Sequence, residues 1–255
     1  PQESPLLLAG LDGGTLLAVL AALGTLRILG ESPDRAVRMS WAPSGGTWRP
    51  ALHLSSLKTQ EQVVEALSKG LAVKDHPSRE WKHWEKATAS RRELFTETRL
   101  AASASNRLAC DWLSAIGSDL PGSENEAADT PLRVPRTDYL LGNIKTILKE
   151  TQARHLPEAL FLPWTYRDPL DNCSLKFEPS EDRRHAFQWD APSGDPTRKK
   201  SGNVLGANRL ALEALPFFQC VPAPKRMATV ACNRAGPAWH ITWSLWRDPL
   251  RLDVV

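Results

Sequence analysis

Residues 16–29 read LLAVLAALGTLRIL, and Thr25 and Arg27 are the only polar side chains in the run. Such a stretch forms a helix that is apolar on nearly every side, and it must be covered around its whole circumference. It falls short of the ~20 apolar residues of a membrane span, so the cover expected is protein. Asp12-Gly13-Gly14-Thr15 turns the chain just before it, with Asp12 or Thr15 as N-cap. Gly30 stands where a left-handed C-cap is wanted, and Arg27 lies near the negative end of the dipole. The chain has 255 residues, enough to bury such a helix in one large domain or two small ones.

The neighbouring segments supply that cover. Leu6-Leu7-Leu8-Ala9-Gly10 reads as a short buried strand. Val37, Met39 and Trp41 alternate with polar residues, Pro43-Ser44-Gly45-Gly46 makes a turn, and Trp48, Ala51 and Leu54 continue on a return strand. Thr59 with Gln62 fits a capping box that opens a helix bearing Val63, Val64, Leu67 and Leu71. Helices are expected over 78–100, 106–116, 142–155 and 208–215. Strands are expected over 184–189, 227–231 and 239–243, the last two able to pair. Residues 156–170 read as a Pro-rich stretch and 190–203 as a polar loop. The fold class expected is α+β, with helices packed on short antiparallel sheets. A buried helix and hairpin fill an N-terminal part, 1–118, and a mixed α+β part follows, 137–255. Between them, 119–136 holds Pro121, Gly122, Pro131 and Pro135 and is the candidate linker, or a long loop within one continuous domain.

The charge balance is even, 32 basic against 29 acidic residues, so any nucleic-acid site must come from local clustering. Cys110, Cys173, Cys220 and Cys232 are far apart, with no CxxC pair and no zinc-ligand spacing. They read as reduced thiols of a cytoplasmic protein. No signal peptide is read at the N-terminus, and the start at Pro1 without Met suggests a processed, trimmed or excised polypeptide. Ten Trp against two Tyr is an unusual balance. Most of the Trp are expected in the core, and one or two could anchor a partner.

No motif of known chemistry is complete. The Asp12-Gly13-Gly14 turn lacks the Gly-Lys-Ser/Thr of a P-loop and the GxGxxG of dinucleotide sites, and reads as a tight turn, with a backbone anion site at the helix N-terminus as the alternative. His76 and His83 lie near Asp75, Glu80 and Glu85 without HExxH spacing. No GxSxG elbow is present, and no metal site or cofactor is expected. Basic residues do cluster. Asp182-Arg183-Arg184-His185 is either an ion-paired turn or a guanidinium contact to phosphates or a partner's carboxylates. Arg198-Lys199-Lys200-Ser201-Gly202-Asn203 is either a solvated loop or one that tracks phosphates. Gly206-Ala207-Asn208-Arg209-Leu210 opens a helix, with Asn208 as its N-cap and Arg209 free to reach outward. Trp239, Trp243 and Trp246 either pack in a closing hairpin or stack on bases.

Several of these stretches resemble a family. The opening Leu8-Ala9-Gly10-Leu11-Asp12-Gly13-Gly14-Thr15 running into Leu20-Ala21-Ala22-Leu23-Gly24-Thr25-Leu26-Arg27 is similar to the N-terminus of proteins from type I-G (formerly I-U) CRISPR loci. So are Ser174-Leu175-Lys176-Phe177-Glu178-Pro179, Glu181-Asp182-Arg183-Arg184-His185-Ala186, Gly206-Ala207-Asn208-Arg209-Leu210-Ala211 and Trp243-Ser244-Leu245-Trp246-Arg247-Asp248-Pro249-Leu250. The chain most resembles the family described as an extension of the helicase-nuclease of those systems. That resemblance implies a non-catalytic module linking the helicase-nuclease to the crRNA-guided DNA-recognition complex. Its contacts would come from Arg183, Arg184, Arg198, Lys199, Lys200 and Arg209, without a membrane. Two alternatives stay open: an integral effector-complex subunit contacting crRNA or target DNA, and a metal-dependent nuclease or hydrolase using His83 or Asp182.

Overall fold

The computed structural model describes residues 4–72, 76–81, 91–119, 128–132, 137–168, 173–177, 202–223, 226–235 and 238–255. The fold is α+β. The helices among the described residues are α1 (Leu16–Glu31), α2 (Gln60–Leu71), α3 (Arg91–Ser105), α4 (Arg107–Ile116), α5 (Thr137–Glu150), α6 (His155–Phe161) and α7 (Leu205–Glu213). The strands are β1 (Leu6–Leu7), β2 (Arg38–Ser44), β3 (Thr47–His53), β4 (Gly117–Ser118), β5 (Ala128–Asp129), β6 (Cys220–Ala223), β7 (Arg226–Thr229), β8 (Cys232–Ala235), β9 (Ala238–Ile241) and β10 (Leu250–Arg251). No helix among the described residues is long and apolar enough to cross a membrane.

The chain divides into two compact units, each discontinuous in sequence. One comprises 1–73, 145–214 and 245–255, and the other 74–144 and 215–244. Contacts distant in sequence draw 145–214 to the N-terminal helix. The stretch 119–136, the candidate linker, falls within the second of these units. Residues 120–127 and 133–136 of that stretch lie outside the described residues.

In the first unit α1 is buried along all of 16–29, as its all-round apolar surface requires. It packs on α7, α2 and β2. The crossing with α7 is so close that a Cβ at Gly24 would lie 1.9 Å from the Leu210 carbonyl oxygen. Gly30 is not the C-cap: the helix continues through it to Glu31, and Gly30 instead admits the Leu252 side chain, 3.1 Å from where its Cβ would be. The hairpin forms with Gly45 and Gly46 as its two turn residues, both at positive φ, 60° and 80°. Two left-handed residues match the twist of the flanking strands, and Gly adopts them without a Cβ clash. The sheet runs β1-β3-β2-β10, all antiparallel. Met39 and Leu52 oppose each other and are fully buried, so Arg38, Ser40 and His53 take the other face.

Thr59 and Gln62 make the expected capping box at the start of α2. Within the Pro-rich stretch α6 forms around Pro157, its third residue, because the first turn of a helix needs no N–H there.

In the second unit Asn106 caps α4 through Leu108 N–H, 2.9 Å. Trp112 of α4 packs against the His76 ring at 4.7 Å and the Trp81 ring at 5.9 Å between centroids, and His76 Nδ1 meets Ser78 Oγ at 2.8 Å. His76 thus sits inside an aromatic cluster. Asp119 accepts hydrogen bonds from Thr96 and Arg99 at 2.8 and 3.0 Å. The second four-stranded sheet runs β6-β7-β8-β9. The strands expected at 227–231 and 239–243 do not pair with each other. β8 lies between them, made possible by a tight turn in which Ala231 adopts φ 61°.

Candidate nucleic-acid interface

Arg183, Arg184, Arg198, Lys199 and Lys200, along with the expected strand 184–189 and His83, lie outside the described residues. The two chain ends that carry the segment 178–201 are described, and both are built around α7.

This helix begins at Leu205, three residues before the expected N-cap Asn208. Its N-terminal cap comes from elsewhere: Asp168 Oδ2 accepts the Leu205 N–H at 2.7 Å, and the same residue exchanges backbone bonds with Asn203. Asn208, inside the helix and 1% exposed, serves the incoming chain instead. Its Oδ1 accepts the Leu175 N–H at 2.8 Å, and its Nδ2 donates to Asn203 Oδ1 at 2.8 Å and to the Val204 carbonyl at 3.1 Å. Asn203 Nδ2 in turn donates to the Cys173 carbonyl. Two side-chain amides therefore lash 173–175 to 203–204. An amide suits this position because it offers a donor and an acceptor at once.

Further contacts fix both ends. Phe177 accepts the Leu17 N–H of α1 at 3.1 Å, satisfying a donor in the first turn of that helix. A Cβ at Gly202 would lie 1.7 Å from the Tyr166 carbonyl oxygen, so only glycine fits there. Beneath α7, His155 accepts the Gln152 N–H at Nδ1 and turns Nε2 toward Asp168 Oδ1, 3.8 Å away.

Arg209 does not reach outward. It is 3% exposed, donates to Glu213 one turn on, and reaches the Leu71 carbonyl at 3.2 Å. The reason is that α7 is buried along its entire length, leaving no solvent-facing side for a cation. Arg27 of α1 shares the same carboxylate at 2.6 Å and also pairs with Glu31 at 3.0 Å. Arginine's several donors suit it to a site where every hydrogen bond must be found inside the protein.

At the start of α1, the candidate backbone anion site, four N–H donors are engaged within the protein. Gly13 N–H reaches the Trp48 carbonyl, Gly14 N–H the Asp12 carboxylate, Thr15 N–H the Asp12 carbonyl, and Leu17 N–H Phe177. Of the three C-terminal Trp, Trp246 packs edge-on against Trp41 and donates to the Met39 carbonyl at 2.7 Å, a core role. Trp239 on β9 is 45% exposed. Cys173 and Cys220 are buried, and burial, with Cys220 as a second cause, pushes the Cys232 thiol up to about 11. Among the described residues no three metal-ligating side chains come together.

The amide lashing and the buried ion pairs were not legible as such, although the residues that make them, Asn203, Asn208 and Arg209, fall in the runs singled out from sequence. Their distant partners lie at 168 and 173–175 for the two Asn and at 71 for Arg209. No protein-family model matches the chain, and no curated protein sequence matches it either.

Proposed function

We propose that this chain is a non-catalytic binding module of a type I-G CRISPR antiviral system, linking the helicase-nuclease to the crRNA-guided DNA-recognition complex. The observation that carries the proposal is the anchoring of the chain on either side of 178–201. The chain entering that segment at 173–177 and leaving it at 202–204 is lashed by Asn203 and Asn208 to a buried helix. Arginine and lysine side chains carried beside a base of this kind suit contacts with phosphates or carboxylates. The resemblance to the helicase-nuclease extension family supports the reading as well, since 174–177 and 206–211, within the runs that carry it, form the base. The contacting cations are Arg183, Arg184, Arg198, Lys199 and Lys200. Arg209 holds the core instead.

The test is the triple replacement Arg198→Glu, Lys199→Glu and Lys200→Glu in the full chain. Recruitment of the helicase-nuclease and interference should both fall. If the segment touches phosphates, the salt dependence of binding should flatten as well. Recruitment, interference and salt dependence all unchanged would reject the role of this segment.

A further inference from the structure

The register of the first sheet sets like charge against like charge. Arg38 on β2 stands opposite His53 on β3 and opposite Arg251 on β10, so three side chains able to carry positive charge form a row across three strands. Like charges directly opposed destabilise a sheet. Arg251 has a counter-ion, Asp253, at 2.9 Å. Among the described residues Arg38 has no carboxylate within ion-pairing distance. His53 is held in place by Ser40, whose Oγ lies 2.9 Å from Nε2. Burial, and secondarily the Arg38 charge, hold its imidazole below the usual histidine range.

This end of the sheet borders a cleft of about 830 Å³. Arg38, His53 and Lys58 line its polar side, Pro5, Leu57 and Pro249 are among its apolar walls, and no carboxylate of the described residues lines it. The volume is that of a small-molecule site, and its lining is more polar than apolar, which suits a ligand bearing a charged group.

We propose that this cleft binds a phosphorylated organic ligand of nucleotide size, with its phosphate between Arg38 and His53 and its apolar part against Leu57 and Pro249. A phosphomonoester brings nearly two negative charges and three acceptor oxygens. The guanidinium fork takes two of those oxygens and the imidazole takes a third. The anion also relieves the repulsion along the Arg38 row, which a neutral ligand would leave in place. The proposal is independent of the segment 178–201 and stands or falls apart from it.

The test is calorimetric titration of the full chain with adenosine monophosphate and glucose 6-phosphate, with adenosine and glucose as unphosphorylated controls. At least one of the two phosphorylated compounds should bind saturably, and about tenfold or more tighter than its control. Arg38→Glu and the milder Arg38→Gln should each weaken that binding by about tenfold or more, with the melting temperature of Arg38→Gln showing that the fold is retained. The His53 ring resonances should also titrate at higher pH with ligand bound, because an anion favours the imidazolium. Three results would overturn the proposal: no saturable binding of either phosphorylated compound, a control that binds as tightly as its phosphorylated form, or binding unchanged in a folded Arg38→Gln variant.

Discussion

Glu213 holds the Arg27 guanidinium at 2.6 Å with both side chains only 6% exposed. The contact joins α1 to α7 across 186 residues of sequence, and Arg209 adds a second guanidinium to the same carboxylate. Removing one member of a buried ion cluster leaves uncompensated charge, whereas replacing all its members with apolar residues does not.

Glu213→Gln is therefore expected to destabilise the fold by about 3–5 kcal/mol, since two buried guanidinium groups lose their shared carboxylate. The triple replacement Arg27→Met, Arg209→Met and Glu213→Leu should recover most of that loss. Urea unfolding of the two variants checks the order. A triple variant less stable than Glu213→Gln would mean that the cluster adds net stability of its own.

Asn208→Ala removes the acceptor of the Leu175 N–H and the Nδ2 donor to Asn203 Oδ1 in a buried place. The expected cost is about 1–3 kcal/mol. Hydrogen exchange localises it: the Leu175 amide should exchange faster, while amides in the middle of α1 slow or speed only with global stability. Unchanged protection at Leu175 would show that Asn208 does not hold the entry to 178–201.

Asp12 gives a dependence on pH. Burial alone would raise its carboxyl, but hydrogen bonds from Thr47 Oγ1 and the Gly14 N–H, together with the charge of Arg49, outweigh burial and hold it below the ordinary value. The unfolded chain then takes up a proton at higher pH than the folded chain. The stability that Asp12 contributes is present above the ordinary carboxylate range of about 4, and is lost as pH falls through the lower folded value. Asp12→Asn should lower stability near neutral pH and narrow the difference between neutral and acid unfolding midpoints. An unchanged difference would contradict the assignment.

The legible part of the fold was the part written in local pattern. A run of 14 residues with two polar side chains can only be a covered helix, and α1 is one. Gly45-Gly46 between alternating strands and Thr59 with Gln62 before an apolar stripe likewise named their structures. Residues whose role is set by distant partners misled. Asn208 has the chemistry of an N-cap, but Asp168, 37 residues before Leu205, already caps that helix. Arg209 looked like a surface cation because nothing nearby shows that both sides of its helix are covered. Pro157 hid a helix by falling in its first turn, and the four-residue strands β6 and β8 were too short to show an alternation, β6 also carrying Pro222. In the candidate site, the basic runs were visible as composition. The amide lashing that anchors them was not, because two Asn five residues apart do not announce that one will reach Cys173 and the other Leu175.

The most direct measurement for the proposed module is affinity purification of the tagged chain from cells expressing the type I-G proteins, with and without the helicase-nuclease. A linking module should bring down the helicase-nuclease, and should retain crRNA-bearing complex only through charge contacts that moderate salt weakens. Retention of crRNA at moderate salt in cells lacking the helicase-nuclease would contradict it in favour of an integral effector subunit. Metal-dependent cleavage of DNA or RNA by the purified chain, lost in His83→Ala or Asp182→Ala, would contradict it in favour of an enzyme.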